Sequence, residues 1–166
     1  MSDPSYNSTF TSLVGRQKIY YCTQCFYIRS YSAPVAFTNM FNRIHHVAII
    51  CSNYERSKDF YVNILGLEIV KEIYRTERQS YKLDLSVGGV YQIELFSFQN
   101  PPARTSRPEA AGLRHLAFEV DDLDKVVAEL NNKGVVTENI RVDGYTGKRF
   151  TFFADPDDLP LEIYER

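Results

Sequence analysis

The chain changes texture at about Arg43. Before it, no apolar period of 2 or 3.6 is sustained; after it, apolar residues fall into strand-length runs separated by turn residues. Residues 44–51 read as a mostly buried strand. Ser52 and Glu55 have the spacing of a capping box, which predicts a helix over about 54–64. Its Phe60, Tyr61, Ile64 and Leu65 share one face, and Gly66 stands where helices end. Three strands are predicted next, at about 67–75, 80–87 and 90–98, with Gly88-Gly89 as the hairpin turn between the last two. A linker rich in Pro and Ser follows over about 99–112.

The pattern then restarts. Residues 113–120 read as a strand, and Asp121 or Asp122 caps a helix over about 123–132. Leu123, Val126, Val127 and Leu130 give that helix its apolar face, and Gly134 ends it. Strands are predicted near 135–142, 148–154 and 160–165, with residues 143–147 and 155–158 as the connections. The fold class is therefore α+β, a β-α-β-β-β unit used twice: module 1 at about 43–98 and module 2 at about 113–166, within a domain spanning 40–166.

The repeat extends to chemistry. His46-Val47-Ala48-Ile49 matches His115-Leu116-Ala117-Phe118, and Ile93-Glu94-Leu95-Phe96 matches Leu161-Glu162-Ile163-Tyr164. His46 lies 48 positions before Glu94, and His115 lies 47 before Glu162. A carboxylate within an apolar strand is costly unless it is paired or binds a cation. Side chains alternate faces along a strand, so His46, Ala48 and Ile50 share one face. Glu94, His115 and Glu162 fit the same scheme. If those faces meet, two imidazoles and two carboxylates converge, a donor set suited to a divalent cation such as zinc or nickel. His46, Glu94, His115 and Glu162 are thus the candidate metal ligands. A satisfied core histidine or an ion-paired glutamate is the usual reading of any one of them alone; the two-fold repetition favours the metal.

Composition narrows the classes. An apolar fraction of 44% with 24% charged residues is ordinary for a globular domain, and a net charge of −2 supplies no basic field for nucleic acid or membrane. The first 39 residues carry Arg16, Lys18 and Arg29 against Asp3 alone, so the remainder is the acidic part. Three cysteines, Cys22, Cys25 and Cys51, do not make a disulfide framework, which points to a reducing, cytoplasmic setting. No apolar run is long enough for a membrane span, and no secretory signal is evident. Cys22 and Cys25 form a CxxC without a second ligand pair. Residues 1–39, with a possible strand at 17–28, are expected to be a poorly ordered or non-native extension, with Met40 a candidate original start.

The motifs His46-Val47-Ala48-Ile49, Ile93-Glu94-Leu95-Phe96, Arg114-His115-Leu116-Ala117-Phe118 and Pro160-Leu161-Glu162-Ile163-Tyr164 resemble the vicinal oxygen chelate superfamily. The nearest likeness is to glyoxalase I and small bacterial glyoxalase or bleomycin-resistance-type proteins, over about 42–166. The resemblance implies paired βαβββ modules forming a cup around a divalent metal, often in a homodimer with its sites near the interface. It implies a lactoylglutathione lyase-like enzyme: the metal holds two adjacent substrate oxygens, and a metal-bound glutamate moves a proton between carbons. Glu162 is then the expected base, with Glu94 its counterpart, acting on a small α-oxo or α-hydroxy carbonyl substrate. Two positions depart from glutathione-type glyoxalases, Ile50 where they carry Arg and Phe98 where they carry Asn. A non-catalytic small-molecule binding or resistance protein is the alternative reading, and an extradiol-type dioxygenase a more remote one. Arg75, Arg78, Arg107, Arg141 and Arg149 are secondary candidates for holding an anionic substrate, against a default of solvated surface, and Tyr81 and Tyr145 for lining the cup, against core or rim packing. His45 is read as structural, pointing to the opposite face from His46, and Cys51 is assigned no chemistry.

Overall fold

In the computed structural model the described residues are 40–166, and Phe41–Arg166 form one compact unit. The expectations for residues 1–39, including the Cys22/Cys25 pair and the strand at 17–28, lie outside the described residues. Module 1 consists of strand β1 (Val47–Cys51), helix α1 (Tyr54–Asp59), strands β2 (Glu68–Arg75), β3 (Ser80–Val87) and β4 (Val90–Ser97). Module 2 consists of β5 (Leu116–Val120), α2 (Leu123–Asn132), β6 (Arg141–Val142), β7 (Arg149–Ala154) and β8 (Pro160–Glu165). Each builds its own four-stranded sheet, ordered β1-β4-β3-β2 and β5-β8-β7-β6. The first and last strands of a module run parallel, and the others pair antiparallel. The α+β class and the duplicated β-α-β-β-β order are as the periodicity predicts.

The alternation along the strands sorts the faces. Ile49, Cys51, Leu83, Leu85, Ile93 and Leu95 of module 1 are buried together with Leu123, Leu130, Phe153, Leu161 and Ile163 of module 2 in one apolar cluster. Residues in between, such as Ala48, Ile50, Lys82 and Glu94, occupy the opposite face of the sheet. Gly88 and Gly89 both have positive φ, at 56° and 77°, the conformation a two-residue turn requires between β3 and β4. Among the described residues no helix is long and apolar enough to cross a membrane.

Three local predictions differ from the structure. The first helix is capped by Asn53, whose side chain accepts from the Arg56 N–H at 3.0 Å, and not by Ser52. Ser52 instead donates its backbone N–H to Asp157 Oδ2 at 2.9 Å and its hydroxyl to Asp157 Oδ1, tying the start of α1 to the β7–β8 turn. The helix predicted to Ile64 widens after Asp59 into a π-helical turn (Phe60–Ile64), closed by the Leu65 N–H on the Phe60 carbonyl. The strand predicted over 135–142 is ordered as a ladder only at Arg141–Val142. Residues before it use other bonds: the Val135 N–H closes the helix end on Leu130, and Glu138 is fixed to β7 through the Phe152 carbonyl and the Thr151 hydroxyl.

The modules are joined through Asp155. This buried carboxylate accepts from Tyr61 Oη of module 1 at 2.9 Å and from the Asp157 and Leu159 N–H groups of its own turn, both at 2.8 Å. Burial pushes its pKa above the ordinary aspartate value despite those donors. The folded state therefore holds the proton more tightly than the unfolded chain. The stabilisation contributed by this group is complete below the unfolded pKa and is lost as pH rises through the folded one. Asp155→Asn keeps two acceptor bonds and can donate to Tyr61, so it is expected to hold neutral-pH stability while flattening the acid-range pH dependence. Asp155→Ala orphans three donors and is expected to cost about 2–3 kcal/mol. Denaturant unfolding at several pH values reads both.

Candidate metal centre

Parallel pairing of β1 with β4 sets Ala48 opposite Glu94. His46 precedes β1 and lies on the same face as Ala48, and its Nε2 stands 3.4 Å from Glu94 Oε2. The methyl of Ala48 leaves the space through which the two reach each other. Module 2 repeats the arrangement: Ala117 is opposite Glu162, and His115 Nε2 is 3.1 Å from Glu162 Oε2. The four sequence candidates thus come together as two His/Glu pairs, each across the parallel strand pair of its own module.

The surroundings of the two pairs differ. Glu94 is buried and held by two groups besides His46: Lys82 Nζ at 2.6 Å and the Tyr91 hydroxyl, which donates to it; Asp84 shares the Lys82 ammonium at 2.5 Å. Burial raises the Glu94 pKa, but the hydrogen bonds from Lys82 and Tyr91 and the charge of Lys82 outweigh it and leave the carboxyl below the ordinary range. In module 2 the positions of Lys82 and Asp84 are taken by Phe150 and Phe152, with Phe152 directly opposite Glu162. Among the described residues Glu162 has no ion-pair partner except His115. The Phe152 ring meets the His115 ring edge-on at 5.3 Å, and His115 Nδ1 is buried without a hydrogen-bond partner.

Each pair suits a divalent cation. Two donors bonded to one ion at about 2.1 Å, at angles between tetrahedral and octahedral, stand about 3.0 to 3.4 Å apart. The two N···O separations fall in that interval. A neutral imidazole and a carboxylate are also the ligand types zinc and nickel accept. Within one chain, however, no three His, Cys, Asp or Glu side chains gather into a group that could hold a metal ion among the described residues. One chain presents two half-sets.

A cavity of about 930 Å³ opens on the module 2 pair, lined by His115, Glu162, Phe150, Phe152, Arg107 and Arg141 among others. Of the secondary candidates, Arg149 is taken up by Glu165 and Asp124, and Arg75 lies over the Phe96 ring with its guanidinium bonded to Ser80. Tyr81 stacks on Tyr54 against the core, and Tyr145 is fully exposed. Cys51 is buried, its thiol pushed up to about 11 chiefly by burial. His45 does not point away from the site as predicted: it lies outside the regular strand, with its Nδ1 2.9 Å from His46 Nδ1 and its ring edge-on to Tyr91 at 5.2 Å. Lys82, Asp84 and Tyr91 are the residues the sequence reading missed. The alternation Lys82-Leu83-Asp84-Leu85 is a signal that could have placed the first two on the Glu94 face.

Similarity to known proteins covers this same part of the chain. Residues 43–163 match the model of the Glyoxalase/Bleomycin resistance protein/Dioxygenase superfamily. The uncharacterized protein YwkD of Bacillus subtilis is 68% identical over 123 residues, covering 74% of this chain and 96% of its own length. The crystal structure of a glyoxalase family protein from Enterococcus faecalis superposes with a TM-score of 0.70 at 53% identity, over 75% of this chain and 98% of that one. More distantly, the mitochondrial methylmalonyl-CoA epimerase of Homo sapiens is 27% identical over 124 residues, 69% of this chain and 68% of its own length. The duplicated fold, its repeated His/Glu pairs and these matches agree: the chain belongs to the Glyoxalase/Bleomycin resistance protein/Dioxygenase superfamily.

Proposed function

We propose that the protein is a divalent-metal-dependent enzyme that moves a proton on a carbon next to a carbonyl, in the manner of a glyoxalase-like lyase or isomerase. The observation that carries this is the difference between the two carboxylates. Glu94 is fixed by Lys82 and Tyr91, whereas among the described residues Glu162 has His115 as its one ion-pair partner and faces an open cavity. Glu162 is the carboxylate free to change partners, and it is the proposed base. Zinc or nickel, which His46, Glu94, His115 and Glu162 would hold, would supply the Lewis acidity that lowers the pKa of a C–H next to a carbonyl. Glu162 accepts that proton and returns it to the adjacent carbon. His115 would hold its part of the ligand set, and Phe150 and Phe152 form the apolar wall beside it. The similarity to an epimerase, an enzyme that inverts a stereocentre, is in keeping with this class of step.

A complete ligand set then needs a second copy of the chain, with His46 and Glu94 of one copy completing His115 and Glu162 of the other. Support comes from the exposed apolar residues on or beside the open side of module 1: Ile50 is 55% exposed, and Ile73 and Phe98 are also uncovered. The substrate is proposed to be a small α-oxo or α-hydroxy carbonyl compound. Ile50 and Phe98 offer no hydrogen bonds to the charged parts of glutathione, so a lactoylglutathione lyase-like reaction is expected to discriminate poorly for that thiol.

Metal analysis of protein purified without chelator is expected to give one zinc or nickel per chain in a dimer. Glu162→Gln should keep the fold and lose exchange of the substrate C–H with deuterated solvent by at least about a hundredfold. Metal binding without exchange on any α-oxo or α-hydroxy carbonyl compound tried would instead identify a binding protein. Mixing also discriminates. A His46→Ala/Glu94→Ala chain and a His115→Ala/Glu162→Ala chain should each bind no metal alone. Mixed dimers should recover about one intact site in two, and no recovery would sink the shared-site arrangement.

A further inference from the structure

The module 2 cavity is lined by four arginines and four carboxylates, and they are not paired one to one. Glu138 accepts from Arg141 at 2.9 Å and is also faced by Arg107 at 3.5 Å, so two guanidinium groups share one carboxylate. The other arginines of the cavity wall are engaged. Arg104 donates to Ser106 and to the Leu113 carbonyl, and Ser106 in turn donates to the Asp158 backbone carbonyl. Arg114 faces Glu109 at 4.0 Å. At this end of the cavity two guanidinium groups, Arg107 and Arg141, thus face the one carboxylate of Glu138. Their side chains are 80% and 50% exposed, so the contacts to Glu138 are weak and readily exchanged.

The Arg141 guanidinium is also tethered. It lies over the rings of Phe150 and Phe152, at 5.0 and 5.2 Å from their centroids. These cation–π contacts tether the guanidinium to the aromatic wall of the cavity. Glu138 is held in register by its backbone bonds to Phe152 and Thr151. The strand register gives the reach. Arg141 pairs with Phe150, and Phe152 pairs with Glu162, so Arg141 and Glu162 are two strands and two residues apart. That is roughly 12 Å between Cα atoms, and the side chains of both shorten it.

We propose that Arg141 and Arg107 form an anion subsite, and that the substrate carries an oxyacid group, carboxylate or phosphate, at the end opposite its reacting oxygens. The body of the ligand lies along Phe150 and Phe152, which favours a flat or apolar segment of a few atoms. The carboxylate or phosphate displaces Glu138 from one guanidinium and takes a bidentate, charge-assisted contact. This deepens the proposed function and rests on it only for what happens at the His115/Glu162 end; the anion subsite itself needs no metal.

Calorimetric titration of the full chain, with and without chelator, uses three probes of like size: phenyl phosphate, benzoate and the neutral benzyl alcohol. At least one anion is expected to bind about tenfold or more tightly than the alcohol, in both conditions, and to weaken with added salt. Whichever anion wins assigns phosphate or carboxylate. Arg141→Gln should remove that tenfold advantage while leaving benzyl alcohol unchanged, and Arg107→Gln should remove part of it. If Arg141→Gln does not fold, the Arg107→Gln series and the salt dependence carry the result. The subsite is overturned if neither anion outbinds the alcohol, if the preference vanishes with chelator, or if neither substitution changes it. Retained anion binding with no metal or no proton exchange would defeat the proposed function and leave the subsite standing.

Discussion

The parallel pairing of the first and last strand in each module is the constraint on which everything else depends. A parallel pair cannot be joined by a hairpin, so the helix and the two intervening strands must be traversed before the chain returns. The return places the final glutamate beside the opening histidine, nearly fifty residues away in sequence. Alanine at the facing position, Ala48 and Ala117, keeps the gap open in both modules. A larger residue there would stand between the imidazole and the carboxylate. The alternate positions, buried Ile49, Ile93 and Leu161 and partly buried Phe118, lock the register by packing, since a one-residue slip would turn the glutamate into the core.

Duplication gave two such pairs, and their neighbours have diverged. Around Glu94 the sheet carries Lys82, Asp84 and Tyr91, a polar network that fixes the carboxylate. Around Glu162 it carries phenylalanines and an open cavity edged by arginines. A carboxylate held by an ammonium and a phenol suits a fixed ligand. One in an apolar wall, with a single imidazole partner, suits a group that must exchange a proton. The same backbone thus holds two carboxylates in two different environments.

The contact between modules is polar where it matters. Asp155 and Asp157 of one turn reach Tyr61 and Ser52 of the other module, and Lys133 Nζ binds the Ile64 carbonyl at 2.6 Å. These bonds sit beside the shared apolar cluster, where Phe60 approaches Phe153. Apolar packing brings the modules together without direction; the buried carboxylate and its three donors select one orientation.

Periodicity by itself determined the two modules, their element order, the Gly88-Gly89 turn and the four repeated site residues. Those features depend on local propensity and on side-chain alternation, which are written along the chain. Most boundaries of β2, β3, β4, β7 and α2 fall within a residue or two of the pattern for that reason. The cap of α1 was misplaced because Ser52 and Asn53 are both competent caps, and only the nearness of Asp157 draws Ser52 away. The ladder at 135–142 was overextended because a strand needs a neighbour, and β7 offers residues before Arg141 only isolated bonds. His45 was assigned to the wrong face because strand alternation was extended to a residue that lies before the strand begins. Lys82 and Tyr91 as partners of Glu94, and the pairing of each His with its own module's Glu, were decided by tertiary structure. Their cause is strand register across the sheet, a relation between residues distant in sequence that no local pattern encodes.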